Sequence, residues 1–115
     1  MKGAIISMPA GATITAKFWL KQSTGAAVEN DTAGSEIGVA ISGANTTTRP
    51  NVGCMKQGLI KLPAVAATYN IGDKLEVATG GQNLQAFSKG VTVATAAESK
   101  ILSGTADLLV YVNVA

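Results

Sequence analysis

The side chains able to do chemistry are few and poorly arranged for it. The chain has 115 residues and no histidine, which removes the commonest general base near neutral pH and the usual activation of a serine or cysteine nucleophile. Ser35 lies in Gly34-Ser35-Glu36-Ile37-Gly38, but it holds the second place of the pentapeptide where a nucleophile elbow needs the third. Ser88-Lys89 and Ser99-Lys100 are sequence neighbours, whose side chains point apart on a strand. Glu29 and Asp31 could offer oxygens to a Ca2+ ion, yet EF-hand spacing is absent and solvated carboxylates are the plainer reading. Gly80-Gly81 is followed by no helical pattern and so is not a phosphate-cradling loop. Cys54 is the single cysteine, so no internal disulfide can form; within Val52-Gly53-Cys54-Met55 it reads as a small buried strand residue rather than a reactive thiol. No catalytic residue, metal or cofactor is expected, and the chain is not expected to be an enzyme.

The elements that would position these groups are strands. Residues 58–87 contain three β-prone runs, 58–62, 73–79 and 83–87, separated by Pro63, by Asn70-Ile71-Gly72 and by Gly80-Gly81. In Lys74-Leu75-Glu76-Val77-Ala78 the period of two puts Leu75 and Val77 on a buried face and Lys74, Glu76 and Ala78 on a wet one. Gly80-Gly81 supplies the positive φ of a two-residue hairpin loop, folding residues 84–87 back antiparallel. Near the C-terminus Leu108, Val110, Val112 and Val114 share one face with Leu109, Tyr111 and Asn113 opposite, the pattern of a strand central in a sheet or lying in a subunit contact. Residues 91–95 alternate, and residues 96–100 have room for one helical turn. Turn signals at about 8 to 12 residue spacing predict a mostly β fold, a small antiparallel β-sandwich or partly closed β-barrel.

Residues 1–10 read as an extended N-terminal arm and residues 11–115 as a single β domain, because Pro9, Ala10 and Gly11 separate Ile5-Ile6 from a strand over residues 12–22. Ile5 and Ile6 form either an ordinary edge strand or, the preferred reading, an arm that adds a strand to a partner's sheet. In the 12–22 strand Ile14, Ala16, Phe18 and Leu20 alternate with Thr13, Thr15, Lys17 and Trp19, which puts Trp19 on the polar side. There it either lies over a neighbouring loop or anchors an interface. Residues 23–35 and 42–51 read as loops around a short strand at 36–41. In the second loop Thr46, Thr47, Thr48 and Arg49 form an extended polar stretch with the only arginine, either a plain surface loop or a partner contact.

Composition narrows the partners. Nine basic and seven acidic residues give a net charge of +2 with no run of cations, unlike the basic stripe of a nucleic-acid binder. No stretch approaches the roughly 20 apolar residues of a membrane span, and Ile5-Ile6 is shorter than the about 7 to 15 residues of a signal-peptide core. The chain is therefore expected to be made and kept in the cytoplasm, with neither nucleic acid nor membrane as partner. With 47% apolar but only 4% aromatic and 14% charged residues, against about 25% charged in a typical domain, the core is built from small aliphatics. Such a core buries less area per residue, so association would add to its stability.

Gly58-Leu59-Ile60-Lys61-Leu62-Pro63, an Ala-rich connection, and Tyr69-Asn70-Ile71-Gly72-Asp73-Lys74-Leu75 resemble the central signature of the small capsid-decoration (cement) proteins of tailed bacteriophages. Glu36-Ile37-Gly38-Val39-Ala40 is similar to that family's Ile/Val-Gly-Val-Ala strand, and residues 108–114 to its alternating last strand. Where the family usually places Gly-x-Ala, this chain has Ser88-Lys89-Gly90-Val91-Thr92-Val93-Ala94. The resemblance implies a structural protein on the outer capsid surface of the virion that cements neighbouring major capsid protein subunits against DNA pressure. On such a symmetric shell the expected state is a homotrimer around local threefold positions, and the resemblance to the lambda type implies an N-terminal arm that takes part in shell binding. Ile5, Ile6, Trp19, Thr46, Thr47, Thr48 and Arg49 are the candidate capsid or subunit contacts. Two other readings stand beside it: a β module of a phage tail or fibre, and a carbohydrate- or peptide-binding domain using Trp19, Tyr69 and Tyr111 around a groove.

Overall fold

The computed structural model describes residues 4–114, so of the expected arm residues 1–3 lie outside the described part. Eleven strands and no helix make up the described chain: β1 (Ala4–Pro9), β2 (Trp19–Ser23), β3 (Ala26–Glu29), β4 (Gly38–Ala40), β5 (Asn51–Ala64), β6 (Ala67–Tyr69), β7 (Lys74–Val77), β8 (Leu84–Ala86), β9 (Ala94–Ala96), β10 (Lys100–Leu102) and β11 (Ala106–Asn113). Five of them close a barrel in the order β5-β8-β7-β9-β11 and back to β5. All its pairings are antiparallel except β5 with β8, which meet parallel at Ala64 and Leu84.

Strand β5 is the spine. Its C-terminal half pairs with β11 from Gln57 to Ala64, inside the barrel wall. Its N-terminal half carries β1 along one edge and β4 along the other, and β4 leads to β2 and β3. This second sheet curls until Ala10, just beyond β1, bridges Ala27 of β3, with Gly11 N–H donating to Ala27 O at 2.9 Å. Two apolar clusters result. Leu62, Ala64, Leu75, Val77, Leu84, Leu108, Val110 and Val112 fill the barrel, while Ile14, Leu20, Ala27, Ala40, Val52 and Cys54 fill the curl of the second sheet.

Sequence alternation names the inner faces of β7 and β11 correctly: Leu75, Val77, Leu108, Val110 and Val112 are all buried. It fails at Trp19. The expected outward indole is fully buried, packed with Val39 in the barrel cluster, while the next residues along each strand, Leu20 and Ala40, belong to the other cluster. At Trp19-Leu20 of β2 and along β4 both faces are covered, so neither face is polar there by necessity. The expected 12–22 strand is also interrupted, because Lys17 takes φ +70° and turns the chain before β2 begins. Gly38 permits the close approach of β4 to β5: a Cβ there would meet Cys54 Sγ and lie 2.7 Å from Met55 O.

Other boundaries move for local reasons. Pro63 does not end its strand but sits one residue from the end of β5, opposite Asp107, where a single missing N–H costs the ladder little. The expected loop over residues 23–35 contains β3, folded onto β2 by Thr24 and Gly25 at φ +47° and +82°, the twist that matches a tight hairpin. The Gly80-Gly81 hairpin joins β7 and β8 as expected, but as a four-residue loop closed by Ala78 N–H to Asn83 O at 2.7 Å. In place of a helical turn at 96–100, the chain bends from β9 into β10, which pairs with β6 in a small second sheet. Residues 4–9, expected to reach a partner's sheet, pair instead with β5 of their own chain.

Since Trp19 is the largest side chain wholly enclosed, Trp19→Ala is expected to cost about 3–5 kcal/mol, a large part of a domain stability of about 5–15 kcal/mol. Trp19→Phe is expected to cost much less. Urea unfolding of both variants beside the parent measures this; a Trp19→Ala loss below about 1 kcal/mol, the scale of surface substitutions, would contradict the double-sided burial.

Candidate functional site

The polar groups that matter are gathered where the barrel meets the second sheet. The β7–β8 loop is latched onto β2 and β3 through Gln82. Trp19 N–H donates to Gln82 Oε1 at 2.7 Å, and Gln82 Nε2 donates to Trp19 O at 3.0 Å and to Asn30 O at 2.7 Å. Asn30, itself buried, donates from Nδ2 to Gly81 O and to Glu36 Oε2, both at 3.0 Å. Gly81 is glycine for cause: its φ is +88°, and a Cβ would lie 2.7 Å from Asn30 O. Trp19 Nε1 is buried without a hydrogen-bond partner, so this indole is held by packing and by its backbone.

Beside the latch runs a groove of ≈ 620 Å3 between residues 34–36, the 91–95 segment and the end of β11. Glu36, 9% exposed, forms part of its lining together with Val91, Thr92, Thr95, Tyr111 and Val114. A narrower continuation of ≈ 240 Å3 passes Glu76, Gln85 and Lys89. Glu76, expected on the wet face of β7, is 6% exposed because the 87–90 segment folds over it. Its carboxylate accepts Ser88 N–H at 3.1 Å, Gln85 Nε2–H at 2.6 Å and Gly90 N–H at 2.8 Å. Those donors, Ser88 first, hold its pKa below the ordinary value of 4.5, since hydrogen bonds to the charged form favour it.

The carboxylates considered as Ca2+ ligands are occupied separately. Glu29 Oε2 accepts Thr15 N–H at 2.7 Å, while Asp31 Oδ1 accepts Lys21 Nζ–H at 2.6 Å and Thr32 Oγ1–H at 2.9 Å. Among the described residues no group of three or more His, Cys, Asp or Glu is placed to hold a metal ion. Cys54 is buried, and burial pushes its thiol pKa up.

Of the predicted contact residues, Ile5 and Ile6 are 51% and 46% exposed on β1. The Ile5 side chain lies near Gly53, beside Ile41, which is also exposed. Thr46, Thr47, Thr48 and Arg49 are exposed as well, but not extended: Asn45 Oδ1 accepts the N–H groups of Thr47, Thr48 and Arg49 at 2.9, 2.7 and 3.3 Å. This loop enters β5 beside the end of β1, where Ala10 N–H donates to Pro50 O at 2.7 Å, so Ile5, Ile6 and the 45–49 loop share one lobe. Trp19 does not join them; buried at 0% exposure, it is no surface contact. Tyr69 is buried too, its hydroxyl donating to Val65 O at 2.7 Å, which leaves a binding groove built on Trp19, Tyr69 and Tyr111 without two of its three rings. Glu36 escaped sequence reasoning, although its parity was a signal: it falls in step with Gly38 and Ala40, both buried. No family model matches this chain, and no curated protein matches it by sequence.

The Glu76 geometry gives a pH dependence with a definite sign. Its folded pKa lies below the unfolded value, so the ionised carboxylate contributes stability that is full above pH about 4.5 and is lost as pH falls from there through the lower folded value. Glu76→Gln is therefore expected to be less stable than the parent at pH 7, with the gap narrowing at pH 3. Urea midpoints at the two pH values measure it, and a gap that widens on acidification would contradict the assignment.

Proposed function

We propose that this chain is a structural phage protein that binds the outer surface of the assembled capsid and braces neighbouring major capsid protein subunits, itself assembling as a homotrimer. In this reading it is made in the host bacterial cytoplasm, resides on the virion surface and acts by contact between folded surfaces, without catalysis. The resemblance of residues 58–75, 36–40 and 108–114 supplies the expectation. The observation that carries it is β1. Barrel closure removes sheet edges over most of the molecule, yet β1 pairs with β5 on one side only over Ala4–Pro9 among the described residues. It bears no charge, and it displays Ile5 and Ile6 about half exposed. Soluble proteins ordinarily blunt such an edge with charge, proline or a covering loop; here proline appears only at the last position. An open apolar edge is suited to receiving a strand or an apolar surface from a partner.

The mechanism is linkage. A protein that binds the assembled lattice and not its separated subunits stabilises the lattice by RT ln(1 + [L]/Kd), about 2.7 kcal/mol per site at 100 times Kd. Many sites on a symmetric shell multiply that effect. Adding the purified chain to expanded, undecorated shells of its phage is expected to raise their disruption temperature, and Ile5→Lys with Ile6→Lys is expected to abolish the rise while leaving the isolated chain folded. An unchanged disruption temperature with the parent chain would reject the bracing role.

A further inference from the structure

Glu36 is an enclosed carboxylate with no cation paired to it among the described residues. A carboxylate can accept about four hydrogen bonds; among the described residues the two that reach Glu36 both end on Oε2, from Asn30 Nδ2 at 3.0 Å and Gly34 N at 2.8 Å. The ion pairs among the described residues are Lys17 with Asp107 and Lys21 with Asp31, so no lysine closes on Glu36. Lys89, which lines the narrower end of the groove, pairs with neither carboxylate there. Carboxylates this enclosed are ordinarily paired with a cation. The groove around Glu36 has apolar walls at Val91 and Val114 and an aromatic ring at Tyr111. Those surfaces suit a side chain with an aliphatic stem and a flat cationic head.

The chain carries one such group. Arg49 is its only arginine; it is exposed, and its guanidinium has no partner among the described residues. The loop that bears it is already ordered: Asn45 Oδ1 accepts three consecutive backbone N–H groups, and Asn45 N–H donates to Arg49 O at 2.9 Å. A preformed loop loses little entropy on docking. Arg49 cannot serve Glu36 of its own chain, because its loop enters β5 at Asn51, whereas the groove opens where Val114 N–H donates to Lys56 O, five residues further along that strand. The geometry points to the Glu36 groove as the receptor for Arg49 of a second copy of this chain. Donor loop and receptor groove are different patches, so the contact can repeat head to tail about a rotation axis and close the ring of the proposed homotrimer.

This inference rests on the self-assembly part of the proposed function and not on shell binding. Sedimentation equilibrium of the isolated full chain, over a micromolar concentration series, tests it without any shell. The parent chain is expected to self-associate, with Arg49→Ala and Glu36→Gln each weakening association by about 30-fold or more, the loss typical when one partner of an enclosed charge pair is removed. Arg49→Ala with Glu36→Gln together is expected to be no weaker than the worse single variant, since both remove one contact. Arg49 lies on an exposed loop and Gln keeps an acceptor for Asn30 and Gly34, so circular dichroism is expected to report parent-like folds. A parent chain that stays monomeric, an association that neither variant weakens, or losses that add would each overturn the pairing. Should Glu36→Gln impair shell binding by a chain that is monomeric throughout, the groove takes a basic side chain of the shell instead and the second-copy assignment falls. Intact association of a chain that leaves shells unaffected would leave this contact standing and remove the bracing role.

Discussion

Strand β5 belongs to two enclosures at once, and most of the structure follows from that. Fourteen residues long, it supplies Leu62 and Ala64 to the barrel core and Val52 and Cys54 to the core of the second sheet. Near the crossing, its pairing with β1 shifts register between Ala4, opposite Gln57, and Ile5, opposite Met55. The extra residue, Lys56, is the kind of irregularity that bends a strand and strengthens its twist, and it stands where β5 leaves one enclosure for the other. A chain with few aromatics thereby gains two connected small cores from one shared strand, with Trp19 and Val39 reaching from the second sheet into the barrel cluster.

The same junction concentrates the buried polar groups. Sheets packed this closely leave backbone donors and acceptors where water does not reach, and unpaired groups there are costly. Asn30, Gln82, Glu36 and Glu76 answer that need with side chains. Asn30 and Gln82 tie the β7–β8 loop to β2 and β3, and Glu76 gathers the backbone of residues 88–90. Glu36 differs in having acceptor capacity beyond what the described residues use.

Alternation in the sequence made the inner faces of β7 and β11 legible, and Gly80-Gly81 gave away the hairpin between β7 and β8. Both signals are local: a period of two reports which residues share a face, and paired glycines report where φ turns positive. Neither reports what covers a face. Trp19 looked outward because Lys17 and Thr15 share its parity, but the start of β2 is covered on both sides and Lys17 turns the chain just before it. Glu76 looked wet for the same reason, and only the fold of residues 87–90 encloses it. The β2–β3 hairpin was hidden by residues, Thr24-Gly25 and the short Ala-Ala-Val run, that read equally as loop. Of the proposed contact surface, Ile5, Ile6 and Arg49 were visible because exposure agrees with their segments being polar or short; the groove at Glu36 was not, since it is assembled from three distant stretches.

Closure decides where contact can occur. A closed barrel wall offers few backbone groups to a partner, which leaves three surfaces outside it among the described residues: the side of β1 away from β5, the ordered 45–49 loop and the groove beside the latch. The first presents apolar side chains and backbone, the second a cation on a fixed loop, the third an enclosed anion. These surfaces differ in character on one small domain, so each suits a partner of different chemistry: apolar for the first, anionic for the second, cationic for the third.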